Sequence, residues 1–194
     1  MHQLTAQALL EHLAGGSLPE WDHFAAQVKP RTLTAGEALF TSGEPWPWLN
    51  VVQRGLFKLV YLREDGSERI KSFIPECGFF GSLTAFAPGG LTSYAAVAMV
   101  PSVVEPLSYP QILALGERHL AWQKALRAGL QFYGQRKEKR ERELLMTSPE
   151  HRYRLFLQEE PELVKRLAQQ DIALYLGITP VALSRIRRRM ARAE

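Results

Sequence analysis

The sequence has little of what cross-linked, metal-holding or membrane proteins require. Its one cysteine, Cys77, excludes an intrachain disulfide and cannot by itself hold zinc or an iron–sulfur cluster. No apolar run approaches the roughly 18 residues of a membrane helix, because Pro101 interrupts the most apolar stretch, residues 94–104. The N-terminus lacks the basic start and the long apolar middle of a secretory signal. We therefore expect a cytoplasmic protein with no membrane partner, no metal and no cofactor.

Catalytic patterns are equally scarce. The sequence shows no nucleophile, base and orienting group at a familiar spacing, and no phosphate loop of P-loop type. It also shows no pair of acids with an apparent reason for tuned pKa values. We expect no catalytic residues and no enzyme. An enzyme stays the third hypothesis, because catalytic groups need not be neighbours in the chain.

The charge is concentrated at one end of the chain. The 194 residues are 46% hydrophobic and 23% charged, which is typical of a soluble globular protein with one large or two small domains. Residues 177–194 contain five arginines and one glutamate, so they account for the whole formal net charge of +4. A neutral body with a basic end favours a protein that presents one surface to a polyanion. A solvated arginine-rich tail is the alternative.

The pattern of residues 1–110 predicts a β domain with two short helices at its N-terminus. From residue 31 to 109 the hydrophobic period is two, and glycine and proline separate short apolar runs. These runs are residues 38–40, 49–52, 55–62, 69–74, 93–100 and 103–107. Asp65-Gly66 predicts a tight turn between two alternating strands. Many short strands with such turns favour an antiparallel roll, sandwich or barrel.

Residues 111–147 predict one long helix, because glycine and proline become rare and helix formers dominate. Apolar side chains recur along it at helical spacing, which gives one continuous stripe. The stripe consists of Trp122, Leu126, Leu130 and Tyr133. It could lie on the β domain or pair with a second copy of the chain. We favour pairing, since a helix between two domains has little else to bury it, and we expect a homodimer.

Residues 148–194 predict a helix-turn-helix domain. Gly177 permits a sharp turn after one short helix, and Thr179 with Pro180 provides an N-cap and first-turn residue for the next. In that second helix Leu183 and Ile186 share an inner face with Met190, whereas the arginines fall largely outside. The candidate DNA-binding residues are Gln170, Thr179, Val181, Ser184, Arg185, Arg188, Arg189 and Arg192. An ordinary helical hairpin within another core is the alternative.

The chain resembles the bacterial regulators that include the catabolite activator protein and the fumarate and nitrate reduction regulator, from about Leu33 to Arg189. The resemblance is carried by Ala35-Gly36-Glu37, Gly43-Glu44, Gly55, Asp65-Gly66, Phe79-Phe80-Gly81, Asp171-Ile172-Ala173 and Leu183-Ser184-Arg185, in that order. It implies an α+β chain with a cyclic-nucleotide-binding-like jelly roll, a long dimerisation helix and an all-α helix-turn-helix domain. It also implies binding of double-stranded DNA at an inverted repeat, with RNA polymerase as a candidate partner.

The sequence departs from the cyclic-nucleotide-responsive relatives in the segment that forms their effector pocket. The resemblance places this pocket at Gly81, Ser82, Leu83, Thr92 and Ser93. The relatives have a glutamate for the ribose and an arginine for the cyclic phosphate where this chain has Ser82 and Thr92. A neutral hydroxyl cannot replace a charge-assisted pairing with phosphate, so we expect no response to cyclic AMP. One cysteine and five histidines match neither the cysteine-cluster nor the haem branch, and the effector stays unknown.

Two further departures concern the DNA-binding end. Only four residues follow Met190, so the sequence predicts a variant without the wing that relatives add there. Pro180 and Val181 stand where the catabolite activator has an arginine and a glutamate, so the preferred DNA sequence should differ. The leading hypothesis is a homodimeric, sequence-specific transcription regulator. A ligand-sensing or protein-interaction module whose terminal helices dock a partner protein is the alternative, but five arginines favour DNA.

Overall fold

The computed structural model describes residues 5–192. Elements are numbered in chain order. The strands are β1 (Arg31–Leu33), β2 (Ala38–Phe40), β3 (Trp48–Arg54), β4 (Leu56–Leu62), β5 (Glu68–Pro75), β6 (Phe79–Phe80), β7 (Ala95–Ala98) and β8 (Ser102–Ser108). The helices are α1 (Ala6–Ala14), α2 (Trp21–Ala25), α3 (Tyr109–Arg118), α4 (Leu120–Met146), α5 (Pro149–Glu159), α6 (Pro161–Lys165), α7 (Gln169–Leu176) and α8 (Pro180–Met190).

The strands form two antiparallel four-stranded sheets, in the orders β1-β8-β3-β6 and β2-β7-β4-β5. Alternating side chains from both sheets meet in a common core. Large members of this core are Phe40, Phe57, Phe80 and Tyr94. The predicted antiparallel roll, and with it the α+β class, is confirmed.

The β4–β5 hairpin follows from local sequence. Gly66 has φ +77°, a conformation that a side chain would strain, and its N–H donates to the Arg63 carbonyl at 3.0 Å. The Asp65 carboxylate accepts from the Ser67 N–H at 2.8 Å. These bonds fix the register in which Leu62 pairs with Glu68, as the Asp-Gly pair predicts.

The predicted long helix is interrupted. His119 has an extended backbone, with φ −134° and ψ 118°, so α3 ends at Arg118 and α4 begins at Leu120. The His119 ring lies 2.5 Å from the Glu20 carboxylate, and Arg118 lies 3.3 Å from the same group. Contacts with the segment before α2 therefore accompany the break, which occurs at a histidine and not at a glycine or a proline. The expectation of one continuous helix from 111 is wrong.

The N-terminal helices cover one end of α4. The Trp122 ring stacks on Trp21 and meets Phe24 edge-on, with ring centres 6.0 and 5.1 Å away, and its indole N–H donates to the Pro19 carbonyl at 2.8 Å. Together with α1 and α3, these residues form a second core. Trp122 is thus buried within its own chain.

A third core joins the C-terminal helices to the outside of the roll. Phe73 of β5 packs against Phe156 of α5 and Tyr175 of α7, with ring centres 6.3 and 5.3 Å away. At the edge of this contact Arg166 forms two bonds with the Glu76 carboxylate, at 2.7 and 3.0 Å. The helix-turn-helix domain is therefore docked on strands β4 and β5.

The described part of the chain contains neither a helix suited to span a membrane nor a group of side chains suited to hold a metal ion. No helix between residues 5 and 192 combines the length and apolar character needed to cross a membrane. The same residues contain no group of three or more histidine, cysteine, aspartate or glutamate side chains placed to hold a metal ion.

Candidate nucleic-acid interface

The turn between α7 and α8 has the geometry expected of a helix-turn-helix. Gly177 closes α7 with φ +75°, the left-handed conformation that glycine adopts without strain. The next N–H, of Ile178, donates to the Ala173 carbonyl at 3.0 Å and so satisfies a free carbonyl at the end of α7. Only Ile178 and Thr179 separate Gly177 from Pro180, the first residue of α8.

Local sequence fixes the start of α8. The Thr179 hydroxyl accepts from the Ala182 N–H at 3.2 Å, as an N-cap does, and Pro180 occupies the first helical position. Thr179, Pro180 and Val181 are exposed, so the N-terminal end of α8 is available to a negatively charged partner.

The two faces of α8 differ in burial and charge. Leu183 and Ile186 are buried against α7, in the same core as Ile172 and Leu176, and they fix the position of α8. Predicted DNA-binding side chains on the other face are exposed, namely Val181 at 61%, Ser184, Arg185, Arg188 and Arg189. Gln170 near the start of α7, the Thr179 cap and Arg192 after α8 are exposed too. The helix therefore presents an outward basic face on a fixed support.

One of these arginines has an internal partner that sequence reasoning missed. Arg189 lies 2.8 Å from the Glu150 carboxylate, which also pairs with Arg154 at 2.9 Å. Within residues 5–192, Arg185 and Arg188 form no ion pair with an acid within 4.0 Å. Because Glu150 is 39 residues from Arg189, no local pattern could indicate the pair.

A buried arginine holds this domain to the end of α4, and it too was missed. Arg152 donates to the carbonyls of Thr147 at 2.5 Å and Leu176 at 3.2 Å, and so joins the ends of α4 and α7. Burial and the nearby Arg140 lower the pKa of Arg152. Because Arg152 bonds to backbone carbonyls at the ends of two helices, and not to a carboxylate side chain, it is a positioning residue for the helix-turn-helix.

In the predicted effector segment, the Ser82 and Thr92 hydroxyls form hydrogen bonds within the chain. The buried Ser82 hydroxyl lies 2.9 Å from that of Thr84 and accepts from the Ser93 N–H at 3.2 Å. The buried Thr92 hydroxyl donates to the Thr41 carbonyl at 2.5 Å. Gly81 is also buried, whereas Leu83 and Ser93 are exposed. The segment brings the five residues of the prediction together, and none of them is charged.

The predicted dimer stripe is divided by the structure. Trp122 has no exposed surface, so its assignment to a dimer seam is wrong. Tyr133 is half-buried and accepts a hydrogen bond from Lys71 on the roll at 2.9 Å. Leu126 is half-buried against the core that α1 shares with α4, and Leu130 is 41% exposed. Within the chain, Trp122 and Leu126 thus lie in the core that includes the N-terminal helices, and Tyr133 lies on the β domain. Leu130 is the most accessible of the four residues.

Comparison with known proteins identifies the roll. Residues 30–119 match the family model described as the cyclic nucleotide-binding domain. The curated proteins contain no match to this sequence.

Solved structures show similarity over most of the chain. FixK2 from Bradyrhizobium japonicum has 20% identity and a TM-score of 0.68, covering 86% of this chain and 85% of its own. The c-di-GMP-responsive regulator CLP from Xanthomonas campestris has 17% identity and a TM-score of 0.70, covering 89% and 91%. The catabolite activator protein of Thermus thermophilus has 24% identity and a TM-score of 0.57, covering 95% and 87%. At these identities the similarity establishes the fold.

Proposed function

Since residues 30–119 form a cyclic nucleotide-binding-type domain within the fold of the catabolite activator and fumarate–nitrate regulators, we propose that this chain is a homodimeric, sequence-specific DNA-binding transcription regulator. Its role is to bind DNA and not to catalyse a reaction. The roll acts as the sensor, α4 as the connection and α8 as the DNA reader. RNA polymerase is a candidate partner of the DNA-bound protein.

The observation that carries this proposal is the outward basic face of α8. An α-helix fits the major groove of B-DNA, where an arginine side chain can bind a guanine edge with two hydrogen bonds. The buried Leu183 and Ile186 hold the helix while Arg185 and Arg188 stay free of internal acids among the described residues. A face that docked a protein partner would instead rely on apolar anchors, of which Val181 is the one large exposed example on α8.

The dimer is proposed through the exposed side of α4. Leu130 is 41% exposed there, although a large apolar side chain on a solvated helix favours burial against a partner. A two-fold dimer would present two copies of α8 to an inverted repeat.

Cyclic AMP is not proposed as the effector. The Ser82 and Thr92 hydroxyls are engaged inside the roll, and neither can replace a charged partner for the ribose or the phosphate. Each such missing charged hydrogen bond is worth about 1.5–3 kcal/mol, which is roughly tenfold or more in affinity. We expect a calorimetric titration with cyclic AMP to show no micromolar binding.

A salt-dependent DNA titration tests the function. The double variant Arg185→Ala, Arg188→Ala should lose most of its affinity for duplex DNA and show a flatter salt dependence, because fewer counterions are released. Arg63→Ala is the matched control, since Arg63 is an exposed arginine on the β4–β5 hairpin. Fluorescence anisotropy at several salt concentrations measures both quantities. Equal binding by the double variant and the wild type would contradict the proposal.

A further inference from the structure

An acidic side chain lies beside the outward basic face of α8. The Glu150 carboxylate, in the first turn of α5, accepts from Arg189 of α8 at 2.8 Å and from Arg154 of its own helix at 2.9 Å. Its two oxygens bond to different arginines, so one carboxylate bridges two cations. Among the described residues, Glu150 is the one acid within 4.0 Å of a charged nitrogen on α8.

The backbone that carries Glu150 is fixed in position. The Ser148 hydroxyl caps α5 by accepting from the His151 N–H at 3.2 Å, and Arg152 joins the start of α5 to the ends of α4 and α7. The side chain of Glu150 is 28% exposed, whereas that of Arg189 is 67% exposed. The carboxylate is therefore held by α5, and the arginine is the more mobile partner.

Glu150 and the basic face of α8 line the same groove. Residues 148–150 at the start of α5 form one side of this groove. Ala182, Arg185 and Arg189 line it from α8, at a spacing of three and four residues that places them along one side of that helix. The carboxylate thus lies on the side of α8 that carries Arg185, the proposed base reader.

A DNA phosphate would compete with Glu150 for Arg189. A helix in the major groove has a phosphate backbone on each side, so one backbone would pass along the groove between α5 and α8. Arginine binds a phosphate as it binds a carboxylate, by charge-assisted hydrogen bonds. A phosphate that displaced Glu150 would lie beside a carboxylate of like charge, which disfavours the exchange.

We propose that Glu150 lowers the affinity of the chain for DNA of any sequence, because it keeps Arg189 in an internal pair and repels phosphates from that side of α8. Arg189, which the sequence predicts to bind DNA, then contributes no phosphate contact. Phosphate contacts strengthen binding to every sequence, so losing one leaves the base contacts of Arg185 a larger share of the binding. The inference rests on the proposed DNA-binding function.

The salt dependence of DNA binding tests the role of Glu150. Glu150→Gln removes the charge and keeps the size of the side chain, so Arg189 becomes free to bind a phosphate. One additional phosphate contact steepens the slope of log affinity against log salt by about 0.9 for each chain bound. The affinity of the variant relative to the wild type should therefore be about 3.5-fold larger at ~50 mM than at ~200 mM salt, per chain. Fluorescence anisotropy of the full chain with a duplex of random sequence measures both.

Two further variants separate the freed arginine from a general change of charge. The double variant Glu150→Gln, Arg189→Ala has the net charge of the wild type and should lose the steeper slope. Glu162→Gln changes the net charge as Glu150→Gln does, but Glu162 is an exposed acid that pairs with Lys165 of its own helix at 2.5 Å. It should keep the slope of the wild type. If Glu150→Gln fails to fold by circular dichroism, Glu150→Ala decides by the same criterion.

Two results would overturn the role of Glu150 alone. One is a folded Glu150→Gln variant with the slope of the wild type, and the other is a steeper slope that persists in the double variant. Both leave the DNA-binding function intact, provided that the wild type binds duplex DNA through Arg185. A wild type that binds no duplex at any salt concentration would instead overturn the DNA-binding function and, with it, the role of Glu150.

Discussion

At the scale of single residues, three of the described arginines lie in different surroundings. Arg152 is buried and holds helix ends together through carbonyls, Arg166 fastens the C-terminal domain to Glu76, and Arg185 is exposed on α8. Composition cannot separate these roles, because the same guanidinium serves a carbonyl, a carboxylate or a base edge. Only the exposure of Arg185 could be predicted from the sequence, since the alternation of buried and exposed positions along α8 is local.

Arg185 and Arg188 should respond differently to replacement. Arg185 lies at the middle of α8, nearer than Arg188 to the capped N-terminal end where recognition helices meet base edges. Arg185→Ala should therefore cost about 1–3 kcal/mol at the preferred site and relax one base position. Arg188 lies nearly one turn later and should contact phosphates. Arg188→Ala should therefore lower the affinity for all DNA sequences by a similar factor. Titrations against the preferred site and a scrambled duplex measure the difference. Equal loss on both duplexes for Arg185→Ala would contradict the assignment.

At the scale of elements, sequence rules succeeded where the determining contacts are local. The β4–β5 turn depends on Asp65 and Gly66, and the start of α8 depends on the Thr179 cap, so both were predictable. The break at His119 and the burial of Trp122 depend on residues 19–24, about a hundred positions earlier. A helical period shows that a face is apolar but does not show what covers it.

Two glycines in helical surroundings should respond in opposite directions to alanine. Gly177 has φ +75°, so Gly177→Ala should lower the free energy of unfolding by about 1 kcal/mol. Gly134 lies within α4, and a Cβ there would meet nothing within 4 Å. Gly134→Ala should therefore raise the free energy of unfolding by up to about 1 kcal/mol, because alanine favours helix. Urea denaturation measures both, and a stabilising Gly177→Ala would contradict the αL turn.

At the scale of the whole molecule, the three cores place the β-roll, helix α4 and the helix-turn-helix domain in contact. The roll interior holds the sheets together, the N-terminal helices cover α4, and the C-terminal helices dock on β4 and β5. The roll and the helix-turn-helix were predictable from sequence, but their docking was not, because Phe73 and Tyr175 are in different domains. The same holds for the contact between β5 and α4, whose Lys71 and Tyr133 are 62 residues apart.

The proposed dimer depends on the exposed side of α4. Leu130→Asp should give monomers, because burying an unpaired carboxylate in a dimer interface costs several kcal/mol. Since Leu130 is exposed within its own chain, the monomer should still fold. Leu62→Asp is the matched control, as Leu62 is an exposed leucine on the roll. Sedimentation velocity measures the states, and a wild type that is monomeric at all concentrations would contradict the dimer.

Selection from random duplexes tests the central claim most directly. If the chain is a dimeric DNA reader, selection with the wild type should enrich an inverted repeat whose half-site centres lie roughly 10 base pairs apart, about one helical turn. The affinity for that repeat should fall steeply with salt and with Arg185→Ala. Recovery of no inverted repeat, together with affinity that neither salt nor Arg185→Ala alters, would contradict the account and favour a protein-docking role for the terminal helices.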